Sequence, residues 1–374
     1  MNRTAFGLIY TGENNPKMRD LTASRAVAAL PFGGRYRCID FILSNLVHTG
    51  ISSVGLIAQR NYHSLMDHLG AGKEWDLHRK REGLFILPPF LTKDSTEPYH
   101  GSIDAFYGCM GYVRRSPYQY IIVSGSHTIF NTDFTAMMEQ HINTRADITI
   151  MYNEDPFFDP EDQNKDLRLY LDGDGRVTSM EYDPYRPGSN NQSCEVFIMD
   201  KALFEHLIND AHARGETHFI RDLLMKKCSA LRIYGWRYNG VVKRLNSVAS
   251  YFSANMSLLD PAIRNDLFNP RTPIYTKVKD EVSARYGAEA SVTNSMLADG
   301  CEVYGSVENC ILFRGVTIGK GSVVKDSILL QGTSIGENVR LDHVIMDKGV
   351  TVRDGRALAG YDGFPMVIRK NATV

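Results

Sequence analysis

The sequence predicts an α/β domain with a Rossmann-like, mixed sheet, followed by a left-handed parallel β-helix. Two patterns in its 374 residues favour this architecture. In the first two thirds, short apolar runs that resemble buried strands alternate with segments in which apolar residues recur every three or four positions. In the last quarter, apolar residues recur every six positions between glycine, asparagine, aspartate and lysine. A chain of this length is expected to form two domains.

The first α/β unit is predicted between residues 4 and 58. Residues 4–10 (TAFGLIY) have the pattern of a first buried strand, and 53–58 (SVGLIA) that of a buried parallel strand. Between them, the segment PFGG at 31–34 predicts a turn, because glycine adopts a positive φ at little cost. The helix that follows has one apolar face and ends at Gly50. That face is formed by Ile39, Ile42, Leu43, Leu46 and Val47.

Later segments continue the same alternation. Residues 121–123 predict a central strand, and the turn Gly125-Ser126-His127 follows at its carboxyl end, where open α/β sheets bind their ligands. Residues 171–177 (LDGDGRV) predict a hairpin turn. Further strands are expected at 84–87 and 147–152.

The C-terminal part has the spacing of hexapeptide repeats. Two sets of apolar residues are six apart: Leu312, Ile318, Val324 and Leu330, and Val323, Leu329, Ile335 and Leu341. Such coils bury their apolar faces only by stacking, so a left-handed parallel β-helix is predicted. The proline- and charge-rich stretch before the repeats is typical of a linker. The predicted boundaries are 1–260 for the α/β domain, 261–287 for the linker and 288–374 for the β-helix.

Composition excludes several classes of function. The formal net charge is −1 and no run of Lys or Arg forms a basic stripe, so neither nucleic acid nor an anionic membrane is an expected partner. No segment has the apolar length of a membrane span or the layout of a signal peptide. The six cysteines lack CxxC spacing, which argues against zinc and favours a reducing cytoplasmic location.

The amino-acid sequence of residues 25–51 resembles that of a known family. The stretch RAVAALPFGGRYRCIDFILSNLVHTGI resembles the signature of ADP-glucose pyrophosphorylases, the transferases that activate glucose for bacterial glycogen and plant starch. The stretches GSIDAFY at 101–107 and SYFSAN at 250–255 match further motifs of that family. The resemblance covers essentially the whole chain, and it implies a nucleotidyltransferase-like α/β domain before the β-helix.

The resemblance also shows where this chain departs from the family. In the phosphate loop, Glu13 and Asn15 stand where glycines are expected, and Lys17 stands where the family has its essential arginine. Ser126 replaces the metal-binding aspartate of the family's Gly-Asp-His turn. Arg244 replaces the second metal carboxylate. Mg²⁺ is usually held through one or two carboxylates and substrate phosphates, so the resemblance implies a degenerate site with no metal and no catalytic residue.

The sugar-phosphate lysines of the family are also missing, since 182–184 (YDP) and 218–222 (HFIRD) replace the motifs that carry them. What remains is an expected residual pocket for a nucleotide or sugar. Its members are Gly12, Gln59, Gly101, Asp104 and Gly125. An alternative reading of Asp104 is that it caps the helix that follows it.

The sequence therefore resembles the non-catalytic, regulatory subunit type that some bacteria pair with a catalytic ADP-glucose pyrophosphorylase. This implies a heterotetramer with the catalytic subunit, a sugar-phosphate or nucleotide effector, and no cofactor on this chain, whereas the catalytic partner needs Mg²⁺. One alternative is an active glucose-1-phosphate adenylyltransferase, with Lys17 acting for arginine and Asp104 or Asp133 recruiting a metal. A second alternative is a sugar-phosphate-sensing binding protein.

Overall fold

The computed structural model describes residues 4–12, 16–89, 99–155 and 166–374. In this part of the chain an α/β domain precedes a parallel β-helix. The α-helices are α1 (Cys38–His48), α2 (His63–Leu69), α3 (Ser102–Gly108), α4 (Met110–Arg115), α5 (Thr135–Asn143), α6 (Lys201–Ala213), α7 (Val248–Met256) and α8 (Pro261–Leu267). Short 3₁₀ segments lie at Pro16–Thr22, Val27–Ala29, Lys73–Trp75 and Ser257–Leu259, and a π-helical turn at Phe219–Leu224.

The strands of the α/β domain match the predicted positions closely. They are β1 (Ala5–Tyr10), β2 (Pro31–Phe32), β3 (Tyr36–Arg37), β4 (Ser53–Ile57), β5 (Gly83–Leu87), β6 (Tyr120–Ser124), β7 (Thr128–Ile129), β8 (Ile148–Glu154), β9 (Leu167–Leu171), β10 (Val177–Tyr182), β11 (Asn191–Asp200), β12 (Ile233–Arg237) and β13 (Lys243–Arg244). The predicted turn at 31–34 joins β2 to β3, with φ of 58° at Gly33 and 84° at Gly34.

A mixed sheet forms the centre of this domain. Its order is β10-β9-β11-β6-β1-β4-β5; in addition, β8 pairs with β11, and β12 pairs with β8. The strands β6, β1, β4 and β5 run parallel, whereas β11 pairs antiparallel with both β6 and β8. Because the parallel strands end at the same edge, the segments after β1 and β6 meet there. The sequence-based prediction of a mixed Rossmann-like sheet is confirmed.

A bulge interrupts β11 where it crosses this edge. The register between β11 and β8 shifts between Ser193 and Phe197. Glu195 lies within the shift and has a φ of 56°, which is rare for a residue other than glycine. The Gly125 N–H donates to the Glu195 carbonyl at 3.0 Å. The bulge thus brings Glu195 against the turn that follows β6.

The C-terminal strands build the β-helix. They are β14 (Arg285–Tyr286), β15 (Ser291–Thr293), β16 (Met296–Leu297), β17 (Glu302–Val303), β18 (Ser306–Glu308), β19 (Ile311–Leu312), β20 (Thr317–Ile318), β21 (Val323–Lys325), β22 (Ile328–Leu329), β23 (Ser334–Ile335), β24 (Arg340–Asp342), β25 (Val344–Met346), β26 (Thr351–Val352), β27 (Ala357–Ala359) and β28 (Met366–Ile368). Every third strand pairs in parallel, which gives three five-stranded sheets and confirms the predicted β-helix.

The coils are shorter than a strict six-residue spacing predicts. Ile318 pairs with Ile335, and Ile335 with Val352, so these coils take 17 residues. One corner saves a residue because it turns on a residue with positive φ, Asp326 or His343. Consequently residues of the two six-spaced sets differ in direction: Leu329 faces the inside of the β-helix, whereas Leu330 packs toward the α/β domain.

The predicted linker contains regular structure. Helix α8 lies inside 261–287, and β14 already pairs with β17 just before position 288. Ile274 is buried in the same hydrophobic cluster as α7 and one side of the β-helix. The segment between the two domains is therefore held against both of them.

A buried ion pair joins the two domains. One guanidinium nitrogen of Arg25 donates to both carboxylate oxygens of Asp347, at 2.8 and 2.9 Å. The two side chains are 3% and 2% exposed. A second pair, between Arg369 and Asp20, also joins the domains but is much more exposed. The segment 16–30 is thus fixed to the last coils of the β-helix.

Candidate functional site

The candidate site is a cleft of about 170 Å³ at the carboxyl ends of β1 and β6. Its apolar walls come from Tyr10, Val27, Phe106, Val123, Tyr182, Phe197, Phe219, Ile220 and Leu245. Its polar lining comes from Thr11, Gly12, Ser102, Ser124, Gly125, His127, Glu195, His218, Arg221 and Asn246. Apolar walls with a few convergent polar groups are typical of a small-molecule site.

Ser126 does not take part in this lining. It is 1% exposed, and its Oγ has no hydrogen-bond partner among the described residues. The residues on either side, Gly125 and His127, do line the cleft. The position that the family resemblance assigns to a metal carboxylate is therefore a buried hydroxyl.

Arg244 acts as an internal cation beside the same edge. Strand β13 pairs antiparallel with β7, which places Arg244 opposite Thr128. Its guanidinium donates to the Asn153 side chain and to the backbone carbonyls of Gln192, at 3.4 Å, and Ser193, at 3.2 Å. The side chain is 11% exposed. A positive charge is thus fixed against the β8–β11 bulge by hydrogen bonds from one guanidinium.

These two residues do not fit a magnesium site. A buried hydroxyl and a guanidinium offer no anionic oxygen for Mg²⁺. In the described ranges, one group of three possible metal ligands does lie close together, namely Asp326, Asp342 and His343. It lies at the short corner of the β-helix, where His343 Nδ1 contacts Asp342, and not at the cleft.

Glu195 is a cleft residue that sequence reasoning missed. Its carboxylate lies 3.7 Å from His127 Nε2. An added Cβ at Gly125 would come within 2.7 Å of its Oε2, so the carboxylate lies directly over the turn after β6. Glu195 enters the cleft because of the β11 bulge, and sequence periodicity does not reveal a bulge. The cleft therefore carries a carboxylate that was not foreseen.

Arg221 changes the expected charge of the other wall. The family resemblance implies that the anion-binding lysines of the sugar-phosphate site are absent from both ends of the pocket. However, the π-helical turn places Arg221 in the cleft lining, with its guanidinium 5.9 Å from the Tyr182 ring centroid. Arginine supplies the same charge as lysine, so a cation lines this wall although the family's lysines are absent.

The predicted pocket residues are only partly brought together. Gly12, with a φ of 74°, and Gly125 line the cleft. Gln59 is outside the lining but donates to the Tyr10 hydroxyl at 2.8 Å. Lys17 is exposed on the 3₁₀ segment at Pro16–Thr22. The two substitutions Glu13 and Asn15 lie outside the described residues.

Gly101 and Asp104 have local structural roles at the start of α3. Asp104 accepts a hydrogen bond from the His100 N–H at 3.2 Å, and its other oxygen lies 3.8 Å from His212. Asp104 is the third residue of α3, and the N-cap position belongs to Gly101, so the carboxylate binds the backbone just before the helix without being its N-cap. A Cβ at Gly101 would lie 2.4 Å from the Thr217 carbonyl oxygen. Neither residue lines the cleft, although Ser102 does.

Gly101→Ala is expected to lower the free energy of unfolding by about 2 kcal/mol, because the new methyl group meets backbone rather than a movable side chain. Gly12→Ala is the matched control. Gly12 has open space around it, so only its positive φ costs energy, about 1 kcal/mol. Urea unfolding of both variants checks this. A Gly101 variant as stable as the wild-type chain would contradict the close approach to Thr217.

A second, cationic cleft lies between the α/β domain, the linker and the β-helix. Six of the residues that line it are basic: Arg35, Arg37, Lys277, Lys279, Arg314 and Lys348. Arg314 is 6% exposed, and two of its guanidinium nitrogens have no partner among the described residues. Burial lowers the pKa of Arg314, and the charge of Arg35 adds to this effect. Asp67 also lines this cleft and lies 3.9 Å from Lys277. The basic residues still outnumber it, and the buried Arg314 guanidinium with unpaired donors indicates a place for an anion.

Burial and the nearby Arg37 and Arg25 lower the pKa of Lys348 to about 7. The ordinary lysine pKa near 10.5 applies in the unfolded chain. Between these values the unfolded chain binds the proton more readily, so the free energy of unfolding rises with pH across this window. Below it, the cost of the buried charge is present in full.

Lys348→Met is therefore expected to raise the melting temperature most near pH 6.5 and to flatten its rise between pH 7 and 10. Thermal unfolding at a series of pH values measures this. Lys320→Met serves as the control, since Lys320 is exposed on the β-helix. Parallel pH curves for the wild-type chain and Lys348→Met would contradict the shifted pKa.

Two further observations bear on the expectations from composition. All six cysteines are buried and unpaired. No helix in the described ranges is long and apolar enough to cross a membrane.

Comparison with known proteins identifies the family. Residues 7–235 match the nucleotidyl transferase family model, and residues 279–363 match the GlmU-like C-terminal hexapeptide model. The chain is 38% identical to the glycogen biosynthesis protein GlgD of Bacillus subtilis over 99% of this chain and 96% of the relative. It is 36% identical to GlgD of Geobacillus stearothermophilus over 87% of this chain and 84% of the relative.

An enzyme of this group is also similar. The glucose-1-phosphate adenylyltransferase of Fervidobacterium nodosum is 30% identical over 94% of this chain and 85% of the relative. The nucleotidyl transferase model covers the domain with the mixed sheet, and the hexapeptide model covers the β-helix. The chain belongs to the ADP-glucose pyrophosphorylase (glucose-1-phosphate adenylyltransferase) family.

Proposed function

We propose that the chain is a regulatory, catalytically inactive or weak subunit of ADP-glucose pyrophosphorylase in glycogen synthesis. It modulates a catalytic homologue that makes ADP-glucose and pyrophosphate from ATP and glucose 1-phosphate. The observation that carries this proposal is the pair of substituted metal positions: Ser126 is buried away from the cleft, and Arg244 is a cation held by carbonyl groups. Phosphoryl-type transfer relies on metal ions to neutralise charge, and these residues cannot hold one.

The alternative of an active adenylyltransferase would need other carboxylates at the cleft. Asp133 instead accepts a hydrogen bond from the Thr135 N–H at 2.9 Å, and Asp104 accepts one from the His100 N–H. Both aspartates lie at helix starts, outside the cleft lining. Their local hydrogen bonds favour structural roles, so this alternative ranks second.

The partner of the chain is proposed to be its catalytic homologue, in a cytoplasmic heterotetramer. The scaffold motifs support this choice, since PFGGRYR, GSIDAFY and SYFSAN are retained while the metal positions are lost. A regulatory subunit also needs a ligand to respond to. The cationic cleft supports a sugar phosphate or a nucleotide, because Arg314 and Lys348 are basic groups crowded there with unused donors or a lowered pKa. That cleft also supports the second alternative, a sugar-phosphate sensor.

The test starts with the purified chain alone, incubated with Mg²⁺, ATP and glucose 1-phosphate. The proposal predicts no ADP-glucose above background. Affinity purification of the tagged chain from cells that co-express the catalytic homologue is expected to recover both chains. Turnover by the chain alone would favour the adenylyltransferase, and recovery of the chain without the homologue would favour the sensor.

A further inference from the structure

We propose that Glu195 excludes phosphorylated ligands from the cleft at the carboxyl ends of β1 and β6 and reserves it for uncharged ones. The inference rests on the proposed non-catalytic role. It deepens that role because it names the class of ligand that the catalytically inactive cleft takes. It depends on three observations: where the carboxylate lies, which charges face it, and what the remaining walls are made of.

The backbone directs the Glu195 side chain into the cleft. The residue lies in the β11 bulge with a φ of 56°, and its carbonyl accepts the Gly125 N–H. This hydrogen bond holds the Glu195 backbone against Gly125, and the Glu195 side chain extends across the turn after β6. Position 125 is glycine, and a Cβ there would come within 2.7 Å of Glu195 Oε2, so the carboxylate keeps this place only above a residue without a side chain. The carboxylate is thus held at the point where open α/β sheets bind their ligands.

The charges that line the cleft oppose one another. Glu195 is the one carboxylate among the described residues of the lining, and it is 24% exposed. The guanidinium of Arg221 and the imidazoles of His127 and His218 are the basic groups there. His127 lies beside Glu195, whereas Arg221 lies over Tyr182. A phosphate that enters near Gly125 meets the carboxylate first, and like charges in a partly enclosed site repel strongly.

The other walls suit a ring without charge. Tyr10, Phe106, Tyr182 and Phe219 are aromatic, and Val27 adds an aliphatic side chain without charge. Aromatic faces bind planar rings by stacking, and a carboxylate accepts hydrogen bonds from hydroxyl groups. A nucleoside combines both features, so adenosine is the probe of choice and AMP is its phosphorylated counterpart.

The experiment measures adenosine and AMP binding by calorimetry, without Mg²⁺ or a second substrate. The wild-type chain is expected to bind adenosine at least about tenfold more tightly than AMP. Glu195→Gln should remove this preference, because Arg221 then attracts the phosphate unopposed. Gly125→Ala should act in the same direction, since its methyl group displaces the carboxylate without removing it. Glu154→Gln, an exposed carboxylate paired with Arg237 on the same sheet, should leave the ratio unchanged.

Three results would overturn the proposal: equal affinities of the wild-type chain for AMP and adenosine, an unchanged ratio in Glu195→Gln, or no binding of either compound by any variant. The assay contains no glucose 1-phosphate and measures no turnover, so a result that overturns this proposal leaves the proposed regulatory role standing. That role fails instead if the chain alone makes ADP-glucose.

Discussion

Asp347→Ala is expected to lower the free energy of unfolding by about 3–5 kcal/mol, because it leaves the Arg25 guanidinium buried without its counter-ion. The pair is almost completely removed from solvent and joins residues in different domains. Removal of one partner from such a pair leaves an uncompensated buried charge, whereas an exposed pair contributes little. Urea unfolding followed by tryptophan fluorescence measures the difference.

Asp20→Ala is the matched control for this variant. Asp20 also pairs with an arginine of the β-helix, Arg369, but Asp20 is 33% exposed and Arg369 76% exposed. Its loss is expected to cost at most about 1 kcal/mol. If Asp347→Ala costs no more than Asp20→Ala, the Arg25–Asp347 pair does not hold the two domains together.

Arg244→Ala is expected to cost about 2–4 kcal/mol, because one nearly buried guanidinium serves several acceptors at the β8–β11 bulge. The Asn153 side chain and the carbonyls of Gln192 and Ser193 all lose this donor. The charge of Arg244 also acts on Asp166: burial raises the pKa of this carboxyl, and Arg244 opposes that shift. The variant should also gain no ADP-glucose synthesis, since alanine supplies no metal ligand.

The control for Arg244 is Arg237→Ala, in the neighbouring strand β12. Arg237 is 51% exposed and pairs with Glu154 in solvent, so a change of about 1 kcal/mol or less is expected. Thermal and urea unfolding of the two variants can be compared directly. Similar small losses for both would mean that the Arg244 guanidinium does not stabilise the bulge.

The regular elements could be predicted from the sequence because their periodicity is local. The helix predicted from Ile39 to Val47 is α1, and the turn predicted after residues 121–123 follows β6. Short motifs located Ser126 and Arg244, the two positions that the family resemblance assigns to metal carboxylates. The structure adds that β13, which contains Arg244, pairs with β7, which begins two residues after Ser126. Local patterns thus predicted the fold, and the degenerate character of the two positions stays a prediction from the family resemblance.

The remaining features depend on contacts between distant residues. The bulge at Glu195 arises from strand pairing across the sheet, which no periodicity reports. Arg25 and Asp347 are 322 positions apart, so their pairing follows only from the docking of the β-helix. Arg221 enters the cleft through a π-helical turn that a 3.6-residue period does not predict. The 17-residue coil likewise depends on single residues such as Asp326 that adopt a positive φ.

The most direct test of the central proposal is a steady-state ADP-glucose assay on three samples: this chain, its catalytic homologue, and the two co-expressed. We expect no activity from this chain and activity of the co-expressed sample well above that of the homologue alone. Ser126 and Arg244 explain the first result, and the retained scaffold explains the second. Clear synthesis of ADP-glucose by this chain alone would contradict the account.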